Sequence, residues 1–112
     1  MTAPIPTEQQ IQRAILDWLA AVGIPAWRQN TGAFAAEHNG KRRFMRFGPK
    51  GQSDIVGILP GRGDGKFLAI EVKRPGGQPT PEQQAFLDRI TEAGGIAFVA
   101  RSVADCEQRL AE

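Results

Sequence analysis

Two short apolar runs on either side of a turn-rich segment constrain this chain more than any other feature of its sequence. The runs extend from Asp54 to Leu59 and from Phe67 to Val72. The seven residues between them include three glycines, a proline and an aspartate, which are typical turn residues. The sequence therefore predicts a β-hairpin, with the two runs as adjacent antiparallel strands.

The lengths of these runs determine which residues face each other across the hairpin. A loop centred in the turn-rich segment places Asp54 opposite Glu71, with Cβ atoms about 5 Å apart. Because side chains alternate along a strand, Glu71 and Lys73 lie on one face. The other face carries the apolar side chains of Leu68, Ile70 and Val72. We therefore expect two carboxylates and an ammonium group to meet on one patch.

Two carboxylates held this close repel each other, and poor solvation strengthens the repulsion. Such a pair is protonated, separated or bridged by a cation. Mg²⁺ or Mn²⁺ would suit the pair, because hard divalent ions take carboxylate oxygens and waters and leave positions for a substrate phosphate. Lys73 would then orient water or offset charge on the phosphate. The alternative is an edge strand whose Glu and Lys are merely solvated.

A helix is predicted over residues 7 to 22, ended by Gly23. Thr7 and Gln10 have the spacing of a capping box. An apolar stripe with helical period consists of Ile11, Ile15, Trp18, Leu19 and Val22. Glu8 lies within about 20° of this stripe, which places an acid in line with the buried face. The alternative is a first-turn glutamate that is favoured by the helix dipole.

A second helix is predicted over residues 80 to 93, and Gln83 in it has two interpretations. Thr80 as N-cap and Pro81 at the first position make Gln83 the third residue of a capping box. The same residue lies on the inward stripe below Leu87 and Ile90, where it could orient water or phosphate. The cap is the simpler interpretation from the residues alone.

The remaining periodicity completes an α/β order. Strands are predicted over residues 24 to 29 and from Ile96 to Ala100, and a last helix over residues 102 to 111, with Ser102 and Asp105 as its cap. The strand after the second helix can rejoin the hairpin in parallel through a crossover. We therefore expect a central mixed sheet flanked by helices.

The positive charge of the chain is local, although its net charge is only +2. Residues 28 to 50 carry six basic side chains against one acidic one, for a local charge of +5. Asn39-Gly40 predicts a ribbon of Ala33 to His38 with Lys41 to Phe47. A basic ribbon that leads to the hairpin suits a polyanion such as DNA. The basic residues expected to contact DNA are Arg28, Lys41, Arg42, Arg43, Arg46 and Lys50.

Length and composition limit the class of protein. With 112 residues, of which 41% are hydrophobic, we expect one domain, residues 1 to 112, with a single core. One cysteine permits no internal disulfide, and Cys106 falls on the apolar side of the last helix. His38 is the only histidine, so zinc spacing is absent. Without a signal-like or membrane-spanning run, a cytoplasmic location is expected.

The order of residues around the hairpin follows a known pattern. Gly51, Asp54 and Ile55 precede the turn, and Glu71 and Lys73 follow it in the run Phe-Leu-Ala-Ile-Glu-Val-Lys-Arg-Pro. This order resembles the PD-(D/E)XK nuclease superfamily and, within it, the VRR-NUC (virus-type replication-repair nuclease) domains. The resemblance covers nearly the whole chain and implies the α-β-β-β-α-β core of that superfamily, an α/β restriction-endonuclease-like fold.

The resemblance also assigns roles to individual residues. Ser53 stands where the superfamily motif has its leading proline, a common departure. The catalytic residues implied are Glu8, Asp54, Glu71, Lys73 and Gln83. The expected metal ligands are Asp54, Glu71, the Val72 carbonyl and Glu8. Asn30 lies in a segment similar to a family loop and could donate to phosphate oxygens, although a turn explains it equally well.

The function implied is a divalent-metal-dependent endonuclease that hydrolyses phosphodiester bonds in DNA. Stand-alone VRR-NUC domains are similar to Holliday junction resolvases and are often homodimers, so branched DNA and a homodimer are expected. Two alternatives belong to other classes. One is a DNA-binding accessory protein with structural carboxylates. The other is a nuclease-like subunit that acts only within a larger replication, repair or restriction assembly.

Overall fold

The computed structural model describes residues 4–29, 33–38, 41–46 and 51–111, with only the backbone of 33–38 and 41–46. Its elements in order are α1 (Glu8–Ala21), β1 (Ala26–Arg28), β2 (Ala33–His38), β3 (Lys41–Arg46), β4 (Ile55–Leu59), β5 (Lys66–Val72), α2 (Pro81–Glu92), β6 (Ile96–Ala100) and α3 (Val103–Leu110). Every predicted element is present within about two residues of its expected ends. Within the described ranges, no helix has the length and hydrophobicity needed to span a bilayer.

The central sheet has four strands in the order β1-β4-β5-β6. Strand β4 is antiparallel to both β1 and β5, whereas β6 runs parallel to β5. Helix α2 provides the crossover that a parallel neighbour requires. The predicted mixed α/β fold is therefore confirmed, and it is compatible with a PD-(D/E)XK core. Strands β2 and β3 form a separate antiparallel ribbon, and Asn39-Gly40 lies outside the described residues.

The register of the central hairpin confirms the predicted one. Ile55 pairs with Ile70, and Leu59 pairs with Lys66. Continuing this register by one residue beyond β4 sets Asp54 opposite Glu71. The strands are held in this register because a one-residue slip would turn every apolar side chain of β5 to the other face of the sheet.

The two faces of the sheet bury different helices. One face packs against α1 and α3 through the buried residues Ile11, Ile15, Leu19, Ile55, Leu68, Ile70, Val72, Phe98, Ala100 and Cys106. The other face packs against α2 through the smaller set Ala69, Phe86, Leu87 and Ala97. Because side chains alternate along β5, Glu71 shares the α2 face with Ala69. The main core therefore lies on the side of the sheet opposite the acids.

The ends of α1 follow the predicted capping chemistry, but its buried side differs from the predicted stripe, since Gln12 is buried and Val22 is not. Thr7 and Gln10 form a complete capping box. Gly23 has a φ of 82°, which a residue with a Cβ rarely adopts, and the chain reverses there. The burial predicted for Val22 is wrong, because the helix ends at Ala21 and Val22 is exposed.

Cys106 lies in the main core, as predicted. Its residue surface is fully buried, and burial, followed by the charges of Asp105 and Glu107, raises the pKa of the thiol to about 12. A thiol in these surroundings is a packing group and a poor nucleophile.

We expect Cys106 to resist labelling by a disulfide reagent such as DTNB in the native protein, because the thiol must first be exposed by unfolding. One thiol per chain should react in denaturant, which is the control for reagent and protein concentration. Native reaction at a rate comparable to the denatured rate would contradict the buried position.

Candidate active site

Asp54 is held from two sides at the start of β4. Its Oδ2 accepts a hydrogen bond from the Val72 backbone N–H at 2.9 Å. Its backbone carbonyl accepts from the Gln29 N–H at 2.7 Å. The carboxylate therefore occupies a position in the ladder between β4 and β5, and the main chain of Asp54 ties β1 to the same place.

Glu71 is a buried acid with an uncompensated oxygen. The residue is only 2% exposed, and its Oε2 has no hydrogen-bond partner among the described residues. Burial and then the charge of Asp54 raise the pKa of Glu71 to about 8, although Lys73 acts to lower it. At neutral pH the pair therefore retains a proton unless a cation is present.

Lys73 lies just beyond the end of β5, with its Nζ 3.9 Å from Glu71 Oε1. Its side chain is largely buried. This distance exceeds that of a good hydrogen bond, so the ammonium offsets charge without being locked to the carboxylate. Its protons can therefore point to another acceptor beside the acids.

The Val72 carbonyl faces the same place as the Asp54 side chain. In an antiparallel ladder the N–H and C=O of one residue point to the same neighbouring strand. The Val72 N–H points to Asp54, whereas the next residue, Lys73, donates its N–H to the Ala100 carbonyl at 3.1 Å. The carbonyl of Val72 is therefore directed to the side of Asp54.

Two buried polar groups lie beside Asp54, and the sequence gives no sign that either lacks a hydrogen-bond partner. Gln52 Oε1 and Ser53 Oγ are buried and have no hydrogen-bond partner among the described residues. Buried polar groups are normally paired, and an unpaired one costs about 1–3 kcal/mol. The only sequence signal was the polar run before an apolar strand, which is also typical of an ordinary loop.

The oxygens around Asp54 fit a hard divalent cation. Two carboxylates face each other across the hairpin, a backbone carbonyl is directed to the same side, and a buried carboxylate oxygen lacks a partner. These are the ligand types that Mg²⁺ and Mn²⁺ prefer. Asp54, Glu71 and Val72 are thus the residues able to hold such an ion.

Glu8 matches the alternative of a first-turn acid that the helix dipole favours. It is exposed in the first turn of α1, where the helix dipole favours an acid. Its charge still reaches Glu71 and adds a minor contribution to the raised pKa. In the described part of the chain, no three His, Cys, Asp or Glu side chains are grouped closely enough to hold a metal ion. A role for Glu8 as a ligand remains a prediction.

Gln83 is engaged as a helix cap. Its Oε1 accepts from the Thr80 N–H at 2.8 Å, and the Thr80 hydroxyl accepts from the Gln83 N–H at 3.2 Å. The capping box engages the side-chain oxygen of Gln83. The NH₂ group of the same side chain can still donate to water or phosphate.

The loop that leads to Asp54 passes directly beside this first turn of α2. Gly51 has a φ of 81°, and a Cβ there would collide with the Glu82 carbonyl and the Gln83 nitrogen. Only glycine therefore permits this approach.

The predicted DNA-contacting residues are described to different extents. Arg28 is exposed on β1 and, with α1 residues that include Gln12 and Arg13, lines a groove of about 250 Å³. Lys41, Arg42, Arg43 and Arg46 lie on β3, of which only the backbone is described. Asn30 and Lys50 lie outside the described residues. Contacts of all seven with DNA remain predictions.

The raised pKa of Glu71 predicts how the stability of the metal-free protein depends on pH. Between the ordinary pKa of 4.5 and the native value of about 8, the folded protein retains a proton that the unfolded chain has lost. The free energy of unfolding should therefore fall as the pH rises through this range, by up to about 1.4 kcal/mol per pH unit. Urea unfolding in EDTA at pH 5 to 8 measures this.

Glu71→Gln should remove most of this decline, since the amide does not titrate. Glu92→Gln, at an exposed acid near the end of α2, is the matched control and should keep it. Parallel pH curves for the protein and for Glu71→Gln would show that Glu71 is not the group responsible.

Comparison with known protein families agrees with this arrangement. The VRR-NUC domain model matches residues 6–104, a range that contains all five residues with an implied catalytic role. Searches among curated proteins and solved structures returned no match. The match extends from the cap of α1 to the first turn of α3 and so includes the whole central sheet. On this ground the chain belongs to the VRR-NUC family of nuclease domains.

Proposed function

We propose that this protein is a divalent-metal-dependent endonuclease that hydrolyses phosphodiester bonds in DNA, with Mg²⁺ or Mn²⁺ as its cofactor. The observation that carries the proposal is the facing pair of Asp54 and Glu71. One acid is fixed by a backbone N–H, and the other is buried with an unpartnered oxygen and a raised pKa. A cation would remove the repulsion that keeps this pair protonated.

Each residue of the proposed site has its own role in the reaction. Asp54, Glu71 and the Val72 carbonyl hold the ion. When bound, the ion polarises a phosphoryl oxygen and favours attack by water. Lys73 donates to the attacking water or to the phosphate and offsets the developing negative charge. The NH₂ group of Gln83 donates to phosphate while its oxygen continues to cap α2.

The finer features of the substrate rest on the resemblance to stand-alone VRR-NUC domains. We infer branched DNA as the substrate and a homodimer as the active form, since two sites related by a two-fold axis suit a symmetric junction. The basic strand β3, with Arg28, Asn30 and Lys50, supplies phosphate contacts that position the duplex arms.

A cleavage assay with variants of the acid pair tests the proposal. Purified protein, given four-way junction, flap or linear DNA, should cut in Mg²⁺ or Mn²⁺ and not in EDTA. Glu71→Ala and Lys73→Ala should each lower the rate by at least about 100-fold, because each removes a group that stabilises the transition state. Asp88→Ala is the control, as it changes an exposed acid of α2 and should cut at the normal rate.

DNA affinity should be retained or increased in Glu71→Ala, because the substitution removes an acid beside the phosphate and none of the basic contacts to it. Cleavage that survives Glu71→Ala would overturn the assignment of this acid. Junction binding without cleavage in either metal would instead indicate a silent subunit of a larger assembly.

The salt dependence of binding tests the basic ribbon. Arg42→Ala and Arg43→Ala should each reduce the slope of log affinity against log salt concentration by about one unit, because each phosphate contact releases about one counterion. Arg62→Ala is the control. It lies in the loop at the end of the hairpin remote from Asp54 and should leave the slope unchanged. Equal slopes for all three variants would exclude the ribbon from the DNA interface.

A further inference from the structure

Trp27 is a half-exposed indole on the same face of the sheet as the acid pair. It pairs with Val56 of β4, which in turn pairs with Ala69 of β5. Residues paired across a sheet share a face, and Ala69 and Glu71 share one because side chains alternate. The indole is 49% exposed, although tryptophan is one of the most hydrophobic residues that a sheet can present.

The position of Trp27 relative to the acids is set by the register of β1. Asp54 lies two residues from Val56, so Trp27 and Asp54 are diagonal neighbours on adjacent strands, about 7–8 Å apart. The hydrogen bond from Gln29 to the Asp54 carbonyl fixes this end of β1 to the site. The span is one that a single nucleotide covers between its phosphate and its base.

The packing of the sheet accounts for the exposure. Helix α2 covers the part of this face formed by β5 and β6, through Phe86 and Leu87 against Ala69 and Ala97. On the other face, Ala26 next to Trp27 packs against the main core. Among the side chains that the structure describes, the large apolar ones left exposed on the α2 face are Trp27, Ile58 and Phe67. Trp27 is the one next to Asp54.

We propose that Trp27 is a stacking platform for an unpaired nucleobase beside the scissile phosphate. The inference rests on the proposed nuclease function and names the substrate class of that site. In continuous duplex, both faces of every base are already covered by neighbouring bases. A free face for the indole exists only where a base is unpaired or turned out of the stack. The preferred substrate is therefore DNA with unpaired or splayed bases next to the cut bond, such as a flap, bubble or open junction.

A nucleobase fits this position better than a second copy of the chain. Trp27 is a diagonal neighbour of Asp54 on the face that carries the acid pair, whereas Arg28, the next residue, is exposed on the opposite face beside α1. A protein interface centred on Trp27 would obstruct the approach of phosphate to Asp54. Phe67 is exposed on the same face but lies farther from Asp54. Substituting Phe67 therefore distinguishes a nucleobase stacked beside Asp54 from a second protein chain that covers the apolar face.

Tryptophan fluorescence in EDTA reports on stacking without cleavage. The chain has two tryptophans, so a Trp18→Phe variant leaves Trp27 as the sole reporter. We expect single-stranded oligonucleotides and flap DNA to quench its emission and continuous duplex to leave it nearly unchanged. Trp27→Ala should weaken binding of single-stranded DNA at least about fivefold. Trp27→Phe should retain most of the affinity, and Phe67→Ala should stay within about twofold of the unchanged protein.

Circular dichroism melting establishes that each variant is folded. The proposal is overturned if continuous duplex quenches as strongly as single strands, or if Trp27→Ala and Phe67→Ala weaken binding equally. It is also overturned if Trp27→Ala turns a dimer into a monomer in sedimentation while the affinity for single strands is unchanged. If single-stranded DNA quenches the emission of Trp27 but the protein cuts no DNA, the stacking role of Trp27 is supported and the proposed nuclease function is overturned. If cleavage does not depend on Trp27, only the stacking role of Trp27 is overturned, and the proposed nuclease function stands.

Discussion

The hydrogen bond from the Val72 N–H to the Asp54 carboxylate determines most of what this site can do. A strand pair normally continues its ladder with main-chain acceptors, but here a side-chain oxygen takes that role at 2.9 Å. The acid is therefore fixed between β4 and β5 opposite Glu71, and the Val72 carbonyl is directed to the same side. Because Asp54 cannot turn away, its charge adds to burial in raising the pKa of Glu71. Without this bond, the fold would not hold the two acids against each other.

The larger hydrophobic core lies on one face of the sheet, and the acid pair lies on the other. Among the described residues, the α1 and α3 face buries a core cluster of ten residues, whereas the core cluster on the α2 face has four. The oxygens of Gln52, Ser53 and Glu71 that have no hydrogen-bond partner among the described residues each cost stability in the metal-free protein. The larger core tolerates this cost, which is why a domain of this size can contain a buried acid pair.

Much of this structure can be predicted from local sequence patterns. The rest depends on packing between segments that are far apart in sequence, which one sequence does not reveal. The hairpin register followed from two run lengths and alternation, and the capping boxes at Thr7 and Thr80 followed from spacing alone. Glu8 lies in line with the buried stripe of α1, but it is exposed because it is the first residue of the helix. Trp27 was overlooked because its importance depends on β1 lying beside β4, a contact between segments far apart in sequence. The unpaired oxygens of Gln52 and Ser53 likewise become visible only when neighbouring groups have been placed.

The parallel pairing of β5 with β6 has a consequence for the order in which the molecule is assembled during translation. Lys73 is tied to Ala100 by a backbone hydrogen bond, and β6 leaves the ribosome only after α2. Until then, β5 pairs with β4 on one side, and its other edge, where β6 will bind, is unpaired. In a nascent chain, the strand that carries Glu71 therefore acquires its second neighbour late, when nearly all the described fold has emerged from the exit tunnel.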